Sequence, residues 1–350
     1  MGGDIQSVVK VAHPDALVEF PRVHSASVSA RPDPLRRFLP TPHALDLQFM
    51  QRTVRLETNQ KAVANWAAEY FKRHQCGPTG APEFRWRLIC EPTSPPQSDH
   101  LDVSAFSDSA LRFVNIGQRG FLAVDLDQSE GIGFLSEAFL QEDSHLKYRP
   151  PLDLLFCMTA SSLGATAFSG ACVGRDHRAV LIFGPPNSGK TTAAYLAARS
   201  GLEFHADQVV FVDTRTSPVR VWGDSLPAVF RPQTLEFLPE LKESTHPSAY
   251  SDVSFHYFDK SPLQSPTVLP VSPVASVFLE RGSGDSPELR ELAKEDAAVR
   301  VREHLLCEED PRFDGQVSDA VGALAARPAY AFRYDSDPQD AAAAIRELLQ

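Results

Sequence analysis

No two cysteines stand at CxxC spacing: the five present, Cys76, Cys90, Cys157, Cys172 and Cys307, are odd in number and widely scattered. This excludes a disulfide framework and a zinc ribbon, and the thiols read as small buried apolar side chains. No apolar run approaches the ~18 residues of a membrane span. The opening MGGDIQSVVKVAHPDALVEF has no basic stretch followed by an apolar one, so no leader is expected. Gln6 stands where a myristoylated Gly2 would need Ser or Thr. The expectation is a cytoplasmic protein with no membrane partner. Positive charge is also short, with 34 Lys and Arg against 45 Asp and Glu, a net charge of −11. That balance opposes diffuse attraction to a phosphate backbone, so nucleic acid is not an expected partner.

What is present is ordinary for a globular chain: 43% hydrophobic and 23% charged residues over 350 positions. At ~150 residues per domain this length suggests about two domains. Proline is plentiful at 28 residues and clusters at 31–42 (RPDPLRRFLPTP) and 91–97 (EPTSPPQ), which read as loops. Between them, Val63, Trp66, Ala67, Tyr70 and Phe71 recur at helical spacing, predicting a helix over 58–75 with Thr58 as its cap. The run EFRWRLICE places Phe84, Trp86, Leu88 and Cys90 on one side, the period of a half-buried strand. LRFVNIG from Leu111 and GFLAVDL from Gly120 flank Gln118 and Arg119, predicting a hairpin. Residues 1–145 therefore read as an α+β accessory domain, without a motif that carries chemistry.

A helix is predicted over 152–163. Short apolar strands at 170–173 and 179–183 come next, separated by the polar turn 174–178. The second, AVLIF, runs into Gly184-Pro185-Pro186-Asn187-Ser188-Gly189-Lys190-Thr191, which fills every fixed position of GxxxxGK[ST]. An alanine-rich helix begins at Thr192 and is closed by Gly201. In a loop of this kind, backbone N–H groups and the positive helix end surround a phosphate, and glycines at 184 and 189 permit the tight path. Lys190 would neutralise β and γ oxygens, and Thr191 would offer its hydroxyl to Mg²⁺.

The next apolar run, residues 202–213, holds two carboxylates suited to bind magnesium or take a proton from an attacking hydroxyl. Asp213 ends VVFVD in the manner of a Walker B strand. Asp207 lies before that run, 17 residues beyond Lys190. Pattern alone does not choose between them.

The segment GPPNSGKTTAAYLAARSGLEFHADQVVFVD resembles the core of the HPr kinase/phosphorylase family through Gly201, Phe204, Ala206, Asp207 and Val210. The loop reading Gly189-Lys190-Thr191-Thr192 is shared with phosphoenolpyruvate carboxykinase, whose nucleotide-binding core is related. The resemblance covers roughly 165–300 and extends loosely to Trp222, Gly223, Phe230, Arg231, Pro232 and the strand from Val274 to Gly282. It implies an α/β fold with a P-loop kinase core over 146–350, and it favours Asp207 as the general base, with a share in the metal site. Two departures stand out. The second acid of the family's pair is Gln208, and Phe168-Ser169-Gly170 lacks the histidine expected near the strand before the loop. His177 and His205 do not match that position and read as solvent-facing turn or strand-edge residues. Arg231 and Arg281, at predicted strand ends, are candidates to stabilise the phosphoryl group, while Arg300 and Arg302 read as a solvated helix face. Ser336-Asp337-Pro338 starts a last helix whose apolar stripe is Ile345, Leu348 and Leu349.

The expected activity is transfer of the γ-phosphate of ATP, with Mg²⁺, to a hydroxyl of a protein, a peptide or a small molecule. The expected nucleotide contacts are residues 184–192, including Pro185, Pro186, Asn187, Ser188 and Thr192. Catalysis would rest on Lys190, Asp207 and an arginine, and metal on Thr191 and Asp207. Two alternatives stay open: a nucleotide-binding regulatory protein without turnover, motivated by Gln208 and Ser169, and an NTPase using Asp213. Acceptor selection by residues 1–145 and a homo-oligomeric state are also open.

Overall fold

The computed structural model describes residues 39–77, 80–91, 104–108, 110–137, 149–223, 228–250, 253–257, 270–282, 286–306, 310–335 and 337–350. Most of both proline clusters, Cys307 and the expected boundary near 145 lie outside these residues.

The first sheet has seven strands: β1 (His43–Phe49), β2 (Arg52–Thr58), β3 (Phe84–Glu91), β4 (Ser104–Asp108), β5 (Leu111–Asn115), β6 (Gly120–Asp125) and β7 (Glu130–Ser136). Their spatial order is β1-β2-β3-β7-β6-β5-β4. Helix α1 (Lys61–Tyr70) is the crossover that lets β2 and β3 pair in parallel. Thr58 does not cap that helix. It ends β2, and its Oγ1 accepts from the Gln60 N–H at 3.2 Å, because the helix begins only at Lys61, with Gln60 at its cap position. The alternation in β3 holds through Leu88, with Phe84, Trp86 and Leu88 buried, and then gives way to burial on both faces at Ile89 and Cys90. The hairpin also forms, β5 pairing antiparallel with β6.

One apolar cluster covers this sheet and crosses residue 145. It takes in Phe49, Phe71 and Trp86 with Phe156 of α2 (Arg149–Ala160), and continues to Phe211. The Phe156 ring lies 4.0 Å from Phe49 and 4.4 Å from Phe211, so the helix ties the first sheet to the C-terminal half of the chain. A polar tie supplements it. Arg112 of β5 is buried, donates to the Met158 carbonyl at 2.9 Å, and lies 3.6 Å from Asp310 and over the Phe313 ring.

Next come β8 (Thr166–Ser169), β9 (Ala171–Arg175), β10 (Arg178–Phe183), α3 (Lys190–Arg199), β11 (Glu203–Ala206), β12 (Val209–Asp213), β13 (Arg220–Gly223), β14 (Val229–Phe230), α4 (Thr234–Phe237), α5 (Leu241–Ser244), β15 (His246–Tyr250) and β16 (Val253–Tyr257). The chain closes with β17 (Ser272–Arg281), β18 (Glu288–Glu291), α6 (Lys294–Arg302), α7 (Asp314–Ala325), β19 (Ala329–Tyr334) and α8 (Pro338–Glu347). A six-stranded sheet is ordered β11-β9-β10-β17-β19-β18, beside three-stranded sheets β13-β12-β8 and β14-β16-β15.

Strands β10 and β17 pair in parallel at the centre of the six-stranded sheet. Both faces of β10 are buried, which is why AVLIF is a continuous apolar run. Helices α3 and α8 cover one face; α6, α7 and the β13-β12-β8 sheet cover the other. Asp337 caps α8 by accepting from the Gln339 N–H at 2.8 Å, and Ile345 and Leu349 are buried as the stripe predicts. The polar turn between β9 and β10 tightens to Asp176 and His177, both with positive φ (52° and 62°), so His177 is a hairpin residue.

Two further expectations are corrected. Residues 202–213 are two strands in different sheets, parting at Asp207-Gln208. His205 is buried, not solvent-facing, with Nε2 3.3 Å from Glu203, because it sits where β11 passes under Gly174 and Gly223.

Candidate functional site

The chain leaves β10 at Phe183 and enters α3 at Lys190 through a loop whose path needs its glycines. Gly184 has φ 146°, and a Cβ there would come within 2.6 Å of the Ser188 Oγ and 2.7 Å of the Leu279 carbonyl. Gly189 has φ 91°, and a Cβ there would lie 2.3 Å from the Tyr334 hydroxyl. Asn187, between them, also has positive φ (63°). Both glycines are therefore required by close approach as well as by backbone conformation. Pro185, Pro186 and Asn187 are exposed, Ser188 is buried, and Gly189, Lys190 and Thr191 are half-buried. The first N–H groups of α3 have no acceptor within the helix and open at this loop. Lys190 folds onto it, its ammonium donating to the carbonyls of Gly184 at 2.7 Å and Pro185 at 3.0 Å.

Thr191 and Thr192 separate in environment. Thr192 is buried with its hydroxyl 3.5 Å from that of Thr234, whereas Thr191 stays half-buried at the helix start. Thr191 is thus the threonine whose hydroxyl can face a ligand.

Register places Asp207 at the same end of the sheet. Cys172 of β9 is opposite both Leu181 of β10 and Ala206 of β11, and the Gly170 N–H donates to the Gln208 carbonyl at 3.0 Å. The loop and Asp207 thus lie two strand spacings apart, ~10 Å. Asp207 is buried, and its Oδ2 accepts from the Val229 N–H at 3.1 Å. Arg231 comes two residues later, half-buried, at the end of β14.

Arg281 reaches the loop from the other side. It ends β17, whose Phe278 is opposite Phe183. Its Nη1 donates to the Asp335 carbonyl at 2.7 Å, and its guanidinium lies 4.6 Å from the centre of the Tyr334 ring. Nη2 is 3.4 Å from the position a Gly189 Cβ would occupy, which sets one positive charge beside the start of α3.

Asp213 is placed otherwise. It sits four residues along β12 from Val209, ~13 Å of strand. Both its oxygens are taken by the Arg215 guanidinium, at 2.9 and 2.7 Å, and that guanidinium packs against Gly164. Asp213 is thus engaged with Arg215 rather than turned to the loop's end of the sheet. Arg300 likewise pairs with Glu280 and lies over Phe278, so it is more engaged than a solvated face.

Two residues at the site escape local pattern. Tyr334, buried at the end of β19, donates its hydroxyl to the Ser188 carbonyl at 2.6 Å. Burial raises its pKa, against a smaller lowering by Arg281, so the phenol remains a donor. His304 comes just after α6 and stacks on Phe183, ring centres 5.2 Å apart, beneath the loop. Its carbonyl accepts from the Ser169 N–H at 2.7 Å. Burial, and then the charge of Lys190, lower its pKa to about 4. Neither residue stands within 100 positions of the motif, so spacing holds no signal for them.

Chemically, the arrangement is an anion cradle with two cations beside it and one buried carboxylate at the same sheet end. Ser188 Oγ, buried and without a hydrogen-bond partner among the described residues, is a polar atom that a polyphosphate on the loop could engage. Among the described residues no group of three His, Cys, Asp or Glu side chains could hold a metal ion by itself. A magnesium ion would therefore rely on Thr191, Asp207 and phosphate oxygens together. Among the described residues no helix is long and apolar enough to cross a membrane.

No family model matches the chain, and no curated protein matches it. Among solved structures it is similar to the Hpr(Ser) kinase/phosphatase from Coxiella burnetii, at 12% identity over 52% of this chain and 92% of that chain, with a TM-score of 0.27. The chain is a mixed α/β protein, and the weak structural neighbour named above is one of several dozen solved chains that match it.

Proposed function

We propose that the chain is a phosphotransferase with a P-loop core of the HPr kinase and phosphoenolpyruvate carboxykinase type over 146–350, acting in the cytoplasm. ATP supplies the transferable phosphoryl group, and Mg²⁺ offsets its charge. The observation carrying this reading is the register that brings Asp207 to the sheet end where the glycine-bounded loop enters α3.

In this reading the N–H groups at the start of α3 and the Lys190 ammonium bind the polyphosphate, Lys190 exchanging its two carbonyl partners for phosphate oxygens. Asp207 takes the proton of the acceptor hydroxyl as that oxygen bonds to the terminal phosphorus. The bond from phosphorus to the bridging oxygen breaks, and ADP leaves. Arg281 stabilises the charge of the group in transit, and the Val229 N–H holds Asp207 in orientation. Arg231, close in chain to Val229, is the second arginine available. The acceptor is a serine-type hydroxyl on a protein or peptide, or a small molecule, selected by residues 1–145.

A second reading, nucleotide binding without turnover, is favoured by Gln208, whose amide cannot match a carboxylate toward magnesium. Calorimetric titration of the full chain with MgATP tests what both readings share. Binding should be lost by at least a hundredfold in Lys190→Ala with an unchanged far-UV spectrum. Equal affinity of the wild type and Lys190→Ala would refute both.

A further inference from the structure

The last strand in chain order, β19, reaches the loop through the Tyr334 hydroxyl. Tyr334 and Arg281 are opposite one another in the parallel β17–β19 pair, and the Gly282 N–H donates to the Tyr334 carbonyl at 3.1 Å. The Tyr334 ring stacks on Phe332, centres 5.7 Å apart, and is buried. From that fixed position its hydroxyl reaches the Ser188 carbonyl. A trans peptide is planar, with its C=O and N–H on opposite sides. Holding the Ser188 carbonyl toward Tyr334 therefore turns the Gly189 N–H away from it, among the first donors of α3. The upper surface of the same ring carries the Arg281 guanidinium, whose Nη1 is held by the Asp335 carbonyl and whose Nη2 is left beside Gly189.

We propose that Tyr334 is a positioning residue for a polyphosphate ligand, its hydroxyl fixing the Ser188–Gly189 peptide and its ring seating Arg281 at the start of α3. This rests on the nucleotide-binding reading of the loop. The phenol and the ring do separable work, so two substitutions separate them. Tyr334→Phe removes only the hydroxyl, and Tyr334→Leu also removes the seat of the arginine.

The test uses the full chain, with MgATP and tripolyphosphate as probes in calorimetry and hydrogen exchange on the unliganded protein. Tyr334→Phe should weaken both probes about tenfold, because the contact concerns phosphates and not the base, and should speed exchange in the 184–192 peptide about tenfold. In Tyr334→Phe, adding Arg281→Ala should cost the same further factor as in the wild type. In Tyr334→Leu it should cost almost nothing, since the arginine is already unseated. Wild-type affinity and exchange in Tyr334→Phe, or equal Arg281→Ala losses in all three backgrounds, would overturn the proposal while Lys190→Ala still abolished binding. If Lys190→Ala binds as the wild type does, or the wild type binds neither probe, the nucleotide reading itself falls and this inference with it. Should Tyr334→Leu not fold, Tyr334→Phe and the exchange rates decide alone.

Discussion

Acidification should strain the floor of the loop through His304. The imidazole stacks on Phe183 and Phe278, and its pKa is lowered from 6.5 to about 4 by burial first and by Lys190 second. In the unfolded chain the ring takes a proton as pH falls through ~6.5, whereas the folded chain does not until about 4. Stability is therefore complete above ~6.5, falls as pH drops toward 4, and loses nothing more from this group below that. The full difference is about 3 kcal/mol, and about 2 kcal/mol of it should be gone at pH 5. Carboxylates also contribute at low pH. Asp310, held below the usual carboxylate range chiefly by its hydrogen bond to Arg312, is one. The informative quantity is thus the gap between wild type and His304→Phe, which keeps an aromatic ring on Phe183 without a titrating group. Urea unfolding at pH 7.5 and pH 5 measures it. The wild type should lose about 2 kcal/mol more than His304→Phe over that interval. Parallel losses would refute the placement of a neutral imidazole under Lys190.

Asp213→Asn should destabilise the fold by about 1–3 kcal/mol, by breaking the paired contact with Arg215, yet leave MgATP affinity within threefold. Thermal melts and calorimetry on one preparation check this, and a selective loss of binding would revive Asp213 as a site residue. Arg112→Ala removes the buried guanidinium that joins β5 to the Met158 carbonyl and Asp310, and should cost about 2–4 kcal/mol in urea unfolding. A loss under 0.5 kcal/mol would mean that the Phe156 contacts alone join the first sheet to the rest.

Local chemistry made much of this chain legible. Alternation marked β3, two polar residues marked the β5–β6 turn, and Asp337-Pro338 marked the start of α8, because each signal lies within a few residues of the structure it dictates. The loop was legible for the same reason, since its glycines answer to contacts that no other residue could accept. What escaped involves partners distant in sequence. Residues 202–213 read as one strand despite the polar Asp207-Gln208 within them, and nothing local marks that pair as the step from one sheet to another. His205 resembles a strand-edge polar residue until Gly174 and Gly223 are seen to enclose it. Tyr334 and His304 reach the loop only because β19 pairs with β17 and residues 304–306 run beside β8. Thr58 misled because a hydroxyl before a helix-like run is an apt cap, and only the start of the helix at Lys61 decides against it.

The most direct test of the central claim is a single-turnover transfer experiment. The full chain is mixed with Mg²⁺, γ-labelled ATP and size-fractionated extract from its own source, alongside Asp207→Asn and Lys190→Ala. Transfer by the wild type into one fraction is predicted. It should be at least a hundredfold slower with Asp207→Asn, although that variant binds MgATP normally, and absent with Lys190→Ala. Transfer by Asp207→Asn at the wild-type rate, or no label in any fraction while nucleotide still binds, would contradict it.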